Sequence, residues 1–146
     1  MQTGALPLME AHPELRAAVD AAHGRKAAGI TVLDLSGLGA FTEAFVICTA
    51  FSPRQVQAVS DAIEEALGPA GWRLLHREGY ERAEWVLLDY GRFVIHVFLE
   101  RARLFYDIER LWRQAPRIDV PDAGAESPVP PGREGDSGAR DEAASA

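Results

Sequence analysis

The sequence predicts an α+β domain, a mixed five-stranded sheet with helices packed against it. Three observations carry this. Apolar positions follow helical and strand periods in the order helix, two strands, helix, three strands, helix. Two short runs, ITVLDL (Ile30 to Leu35) and AFVICTAF (Ala44 to Phe51), are β-branched or almost wholly apolar, as strands central to a sheet are. Between the second run and the later strands, SPRQVQAVSDAIEEALGP carries a start and a stop for one amphipathic helix.

In HPELRAAVDAAHGRKAAG, Pro13 suits the first helical position, and Leu15, Ala18, Val19 and Ala22 share one face. Arg25 and Lys26 lie near its end, with Gly29 beyond. In the second helix Ser52 is the N-cap, Pro53 opens the first turn, and Gln55 stands three residues after the cap in a capping-box arrangement. Val56, Val59, Ile63 and Leu67 line its buried face, and Gly68 with Pro69 stops it. WRLLHRE, EWVLLDY and RFVIHVFL then read as three strands. RARLFYDIERLWRQAP reads as one closing helix with Leu104, Ile108 and Leu111 on its inner side, and Pro116 as the end of the order.

The 146 residues are one domain's worth, and 47% hydrophobic with 25% charged is ordinary for a globular chain. The formal charge of −7 is uneven: Asp119 to Ala146 holds seven acids and two arginines, leaving 15 acids against 13 bases before it. That last stretch is rich in Pro, Gly, Ser and Ala and lacks aromatics, so it buries too little to offset its ordering entropy. The expectation is a domain over residues 1–118, with 1–11 flexible, and a disordered acidic tail over 119–146. A near-neutral domain with an acidic tail and one lysine, Lys26, suits a basic protein partner better than nucleic acid, whose binding depends on Lys and Arg releasing counterions. No run approaches the roughly 20 apolar residues of a membrane span, and the N-terminus lacks signal-peptide order, so a cytoplasmic protein without a membrane partner is expected. Cys48 is the only cysteine, which excludes an internal disulfide.

The hairpin LDYGRF predicts pairing of residues whose numbers sum to 181, placing Trp85 directly opposite His96. Val86, Leu88, Tyr90, Phe93, Ile95, Val97 and Leu99 then share a purely apolar face. Trp85, Leu87, Asp89, Arg92, Val94, His96 and Phe98 share a mixed one, suited to recognition or catalysis. Each polar member also has a structural reading: Trp85 as a core-flank aromatic, His96 as a neutral buried imidazole, Asp89 as a turn acceptor. Cys48 reads as a small buried hydrophobe.

Catalytic signals are weak. Cys48, His76 or His96, and Asp89 supply a nucleophile, base and orienter by type only, and neither G-x-G-x-x-G nor G-x-x-x-x-G-K occurs. Asp107 and Glu109, two apart on one helix, would point about 200 degrees apart and could not share a metal ion. No catalytic residue, cofactor or metal is expected.

Two stretches, ITVLDLSGLGAFTEAFVICTAFSPRQVQAVSDAIEEAL and HREGYERAEWVLLDYGRFVIHVFLERARLFYDIERLW, closely resemble the ribosomal silencing factor family, also called Iojap-related. The resemblance runs from about Ala21 to Pro116. Its specific elements are the VLD strand, FVICT followed by Ser52 and Arg54, HREG, EWVLLDYG, VIHVF and YDIERLW. One departure is Ala50-Phe51, where the family more often carries a small residue such as Gly.

The resemblance implies a nucleotidyltransferase-like core without the catalytic motifs, in a factor that binds the large ribosomal subunit through protein fourteen of the universal L series. Occupying that ground would block the small subunit and repress translation when nutrients are limiting or in stationary phase. Carried over by motif, Glu84, Trp85 and Val86 are the expected contact segment, with Tyr80, Asp89 and His96 about the Trp85 anchor. Tyr106 and Glu109 match family positions, as does Trp112, which could equally close the core. Two alternatives remain: a nucleotide-binding or nucleotidyltransferase-like enzyme, and direct RNA binding through Arg101, Arg103, Arg110, Arg113 and Arg117. The apolar strands also permit a homodimer.

Overall fold

The computed structural model describes residues 5–122. Its elements in chain order are α1 (Ala5–Ala11), α2 (Pro13–Gly24), β1 (Ala28–Asp34), β2 (Ala44–Ala50), α3 (Pro53–Leu67), β3 (His76–Glu78), β4 (Trp85–Asp89), β5 (Phe93–Leu99), α4 (Glu100–Tyr106), α5 (Ile108–Leu111) and β6 (Arg117–Asp119). The strands form one mixed sheet in the order β3-β4-β5-β2-β1-β6, parallel only between β2 and β5. The α+β class is as expected, with six strands rather than five.

The sixth strand lies just past the proline expected to end the order. Arg117–Asp119 pairs with β1, and Ile118 is buried there. The Val120 amide donates to the Ile30 carbonyl (2.8 Å), and the Gly29 amide donates to the Asp122 carboxylate (3.1 Å). Asp119–Asp122, read from sequence as the start of a disordered tail, therefore dress the edge of β1. The rest of that stretch, 123–146, lies outside the described residues. At the other end, α1 occupies part of the segment expected to be flexible, and Met9 is buried.

The α3 cap forms much as its sequence dictates. Ser52 Oγ accepts from the Gln55 amide (3.1 Å), and Gln55 Oε1 reaches back to accept from the Phe51 amide (2.8 Å), one residue earlier than in the usual box. Gln55 Nε2 also donates to the Arg25 and Lys26 carbonyls, so the same side chain ties the end of α2 to the start of α3.

The two faces of the sheet are dressed differently. Val86, Leu88, Phe93, Ile95, Val97, Val46 and Cys48 share a face that is wholly buried. Glu64 of α3 pairs with Arg77 on this side, and Trp72 packs edge-on to Phe93, so α3, with α2 beside it, covers this face. The opposite face carries Thr31, Leu33, Phe45, Ile47, Thr49, Val94, His96, Phe98, Leu87 and Trp85. It is covered by α4, α5 and Trp112, two short helices in place of the single one expected, and β4 at its rim is left half-open.

The closing helix breaks at Asp107, whose φ of 47° is left-handed. The break turns α5 so that Ile108 is buried while Leu104 (77% exposed) and Leu111 (79%) face outward, correcting the expectation that all three line the core. It also removes the stated ground for separating Asp107 from Glu109, which assumed one continuous helix.

Candidate functional site

The β4–β5 hairpin pairs Trp85 with Phe98, Leu87 with His96 and Asp89 with Val94, a register two residues away from the expected one. The reason is the corner. The Tyr90 amide donates to the Phe93 carbonyl (3.0 Å), which closes the turn around Gly91-Arg92, and Gly91 supplies the positive φ (+87°) that turn needs. A shift of two preserves which residues share a face, so Trp85 and His96 remain on one side, as diagonal neighbours.

On that side the aromatic rings run in sequence across the sheet. Trp85 stacks on Phe98 (centroids 4.9 Å apart, 28° between planes), and Tyr106 from α4 lies 4.9 Å from the indole on another side. Phe105 meets Tyr106 edge-on at 5.0 Å. His96 stands 6.0 Å from Trp85 and packs edge-on to Phe45 at 4.4 Å, and Phe45 packs edge-on to Trp112 at 5.8 Å. Offset and edge-on pairs at these distances are each worth about 0.5 to 1.5 kcal/mol beyond their buried area. The inner members are buried. The outer ones are not: Tyr106 is 48% exposed, Phe105 80%, and Trp85 sits half-buried between them and the core.

Trp85 Nε1 donates to His96 Nδ1 at 3.1 Å. The accepting Nδ1 carries no proton, so the neutral ring holds its proton on Nε2, and among the described residues Nε2 has no hydrogen-bond partner. Burial pushes His96 down to about 3, so it stays neutral at ordinary pH. An unpaired buried donor costs about 1 to 3 kcal/mol.

The other residues named from sequence are dispersed. Val86 faces the helical layer and is fully buried. Tyr80 is on that layer's side too: its hydroxyl donates to both Asp61 oxygens (3.0 Å), its carbonyl accepts from Gln57, and Arg77 lies 4.4 Å over its ring. Asp89 Oδ1 accepts from the Gly91 amide (2.8 Å), which is the turn-acceptor role. Glu84 is half-buried beside the aromatic cluster, 4.0 Å from Arg82 and 3.9 Å from Arg101. The structure thus brings together Trp85, His96, Tyr106 and Glu84, and places Val86, Tyr80, Asp89 and Glu109 elsewhere.

Glu109 belongs to a different network. Arg103 Nε and one terminal nitrogen donate to its two oxygens (2.8 and 3.2 Å), and Arg117 pairs with it at 2.8 Å. The hydrogen bond from Arg103 is the main force holding the Glu109 carboxyl below its ordinary value. Arg103 also donates to the Gly29 carbonyl (2.6 Å), Thr49 Oγ1 (2.9 Å) and Thr31 Oγ1 (3.2 Å), which engages all five of its N–H groups. Arg103 is the cation of the groove lined by Gly29, Thr49, Phe51, Leu104 and Glu109, so it has no donor left for a phosphate there. Two of the five arginines considered for RNA, Arg103 and Arg117, are tied into this network.

Cys48 is fully buried, and burial pushes its thiol up to about 12, the setting of an inert cysteine. Among the described residues no group of three His, Cys, Asp or Glu is placed to hold a metal ion, and no helix is long and apolar enough to cross a membrane.

Sequence reasoning missed Leu104 and Phe105. The available signal was the run Leu104-Phe105-Tyr106: three successive residues on a helix sweep about 200 degrees, so they cannot all face one core.

A family model described as "Ribosomal silencing factor during starvation" matches residues 9–145. A protein of Halalkalibacterium halodurans named "Ribosomal silencing factor RsfS" is 36% identical over 106 residues, covering 73% of this chain and 91% of the relative. "Protein Iojap, chloroplastic" of Zea mays is 35% identical over 96 residues, covering 66% of this chain and 42% of that protein. A crystal structure of a Chromobacterium violaceum protein superposes with a TM-score of 0.68 at 36% identity, covering 79% of this chain and 97% of that one.

Proposed function

This chain belongs to the ribosomal silencing factor family, and we propose that it binds the large ribosomal subunit through protein fourteen of the universal L series, keeping the small subunit from joining. Repression of translation under nutrient limitation or in stationary phase follows from that obstruction. The action is steric and needs no chemical step, in keeping with relatives named as silencing factors.

The observation that carries this reading is the open rim of the second face, where Trp85, Tyr106 and Phe105 stand together with Glu84 beside them. Large aromatics with few rotamers to freeze are the residues that anchor protein interfaces, and nearby acids would complement a basic ribosomal protein. Covering about 800 Å² per partner, the standard size for a specific contact, would obstruct a second particle that needs the same ground. We further propose the body of the chain up to Asp122 as the unit that docks, with the acidic remainder not required for the contact.

Titration calorimetry of the full chain against the isolated large-subunit protein tests the contact. The reading requires saturable one-to-one binding that Trp85→Ala weakens. Absence of heat with a folded wild-type chain would contradict it.

A further inference from the structure

We propose that His96 is a positioning residue for the docking face: its Nδ1 selects one of two orientations open to the Trp85 indole, at the expense of fold stability. The inference rests on the proposed function, since it concerns how the anchor of that contact is held.

His96 is 4% exposed, in the middle of β5, so a partner resting on the rim does not reach it. Its only hydrogen bond among the described side chains is the one it accepts from Trp85. The torsion that sets the plane of a tryptophan ring is broad and roughly two-fold. The rings on either side of Trp85, Phe98 and Tyr106, are contacts of ring faces and edges that tolerate a turned-over indole nearly as well. The hydrogen bond to Nδ1 does not tolerate it, because turning the ring carries Nε1 away from His96. One acceptor thereby fixes which edge of the indole is presented outward.

The surroundings show what the fold forgoes. His96 packs edge-on to Phe45 and lies parallel to Phe98, an environment in which a phenyl ring fits. Phenylalanine there would remove the buried Nε2–H that has no partner among the described residues; the part-buried Trp85 N–H that it releases can turn toward solvent at the rim. A residue kept for packing alone would not be the one carrying a buried polar atom with nothing to bond. A residue kept for its acceptor would.

The test uses the full-length chain, its His96→Phe and His96→Asn variants, and isolated large ribosomal subunits as the probe. Asparagine places an amide oxygen near the position of Nδ1 and restores an acceptor without an imidazole. Three readouts are taken: the melting temperature, the dissociation constant, and the indole N–H resonance of Trp85, assigned by its loss in Trp85→Phe. The expected result is that His96→Phe melts at or above the wild-type temperature, binds roughly tenfold more weakly, and shows the Trp85 indole proton shifted upfield. His96→Asn should melt lower than His96→Phe yet bind more tightly than it. Wild-type binding together with undiminished binding by His96→Phe would overturn this inference alone. So would weaker binding that tracks a lower melting temperature in both variants. A wild-type chain that leaves large subunits unbound would contradict the proposed function and this inference with it.

Discussion

A Cβ built on Gly79 would stand 2.1 Å from the backbone carbonyl oxygen of Trp85. Gly79 also holds φ +82°, a conformation side chains disfavour. The loop that leads into β4 therefore passes directly against the backbone of Trp85, and only glycine allows that approach. Gly79→Ala should lower stability by about 2 kcal/mol or more, read as a drop in the denaturant midpoint. Because the obstacle is backbone, no side chain can swing aside to relieve it. An unchanged midpoint would mean that the loop and β4 do not meet this way.

Trp85→Ala should weaken binding to the large subunit by about 2 to 4 kcal/mol, roughly 30-fold to 1000-fold. The indole is half-buried and rests on Phe98, so some stability goes with it, but the cooperative melting transition should remain. Paired measurement of the melt and the dissociation constant separates the two losses. Disappearance of the cooperative transition would assign Trp85 to the core instead.

Phe105→Ser isolates the surface from the fold. Phe105 is among the most exposed large apolar residues described (80%), and its ring meets Tyr106 edge-on. Stability should change by no more than about 0.5 kcal/mol. Affinity for the large subunit should fall by more than about 1 kcal/mol, roughly fivefold or greater. Equal affinity in a direct titration would remove α4 from the contact.

Acid should destabilise the fold through His96. Its folded value is pushed down to about 3 by burial, against the ordinary 6.5. Between those two values the unfolded chain takes up a proton that the folded chain refuses. Stability is therefore fully present above about pH 6.5 and declines as pH falls, by up to about 1.4 kcal/mol per unit. Glu109 acts in the same direction at lower pH, since Arg103 holds its carboxyl below the ordinary range. Urea midpoints measured from pH 6.5 down to pH 4.5 should fall for the wild type and fall less steeply for His96→Phe. Parallel slopes would contradict a buried, neutral His96.

Much of the fold is legible in the sequence because burial imposes period. The capped helix α3, the apolar strands β1 and β2 and the face assignment of β4 and β5 all follow from patterns a core enforces. The register is not legible to the residue, since Gly91 can serve a corner at Tyr90-Gly91 or at Gly91-Arg92, and only the hydrogen bond from Tyr90 to Phe93 distinguishes them. Nor is the division of the last helix. Leu104 and Leu111 repeat at a spacing a core would use, so an exposed apolar surface imitates an inner face, and the break at Asp107 leaves no proline or glycine to mark it. Strand β6 is three residues long, too short for a period. At the site, Trp85 and Tyr106 come from motif, and the structure supplies their proximity. Glu109 shares the motif but is held by Arg103 and Arg117 in a separate network, a pairing of residues from distant elements that local spacing cannot reveal.

Joining of ribosomal subunits, followed by light scattering, tests the central claim most directly. Purified large subunits are saturated with the full-length chain, small subunits are then added, and the extent of whole-ribosome formation is read at equilibrium. Obstruction predicts that joining falls with dose to near zero, that Trp85→Ala shifts the half-point to higher dose, and that no nucleotide is consumed. Full joining at a saturating dose of folded wild-type chain would contradict the account.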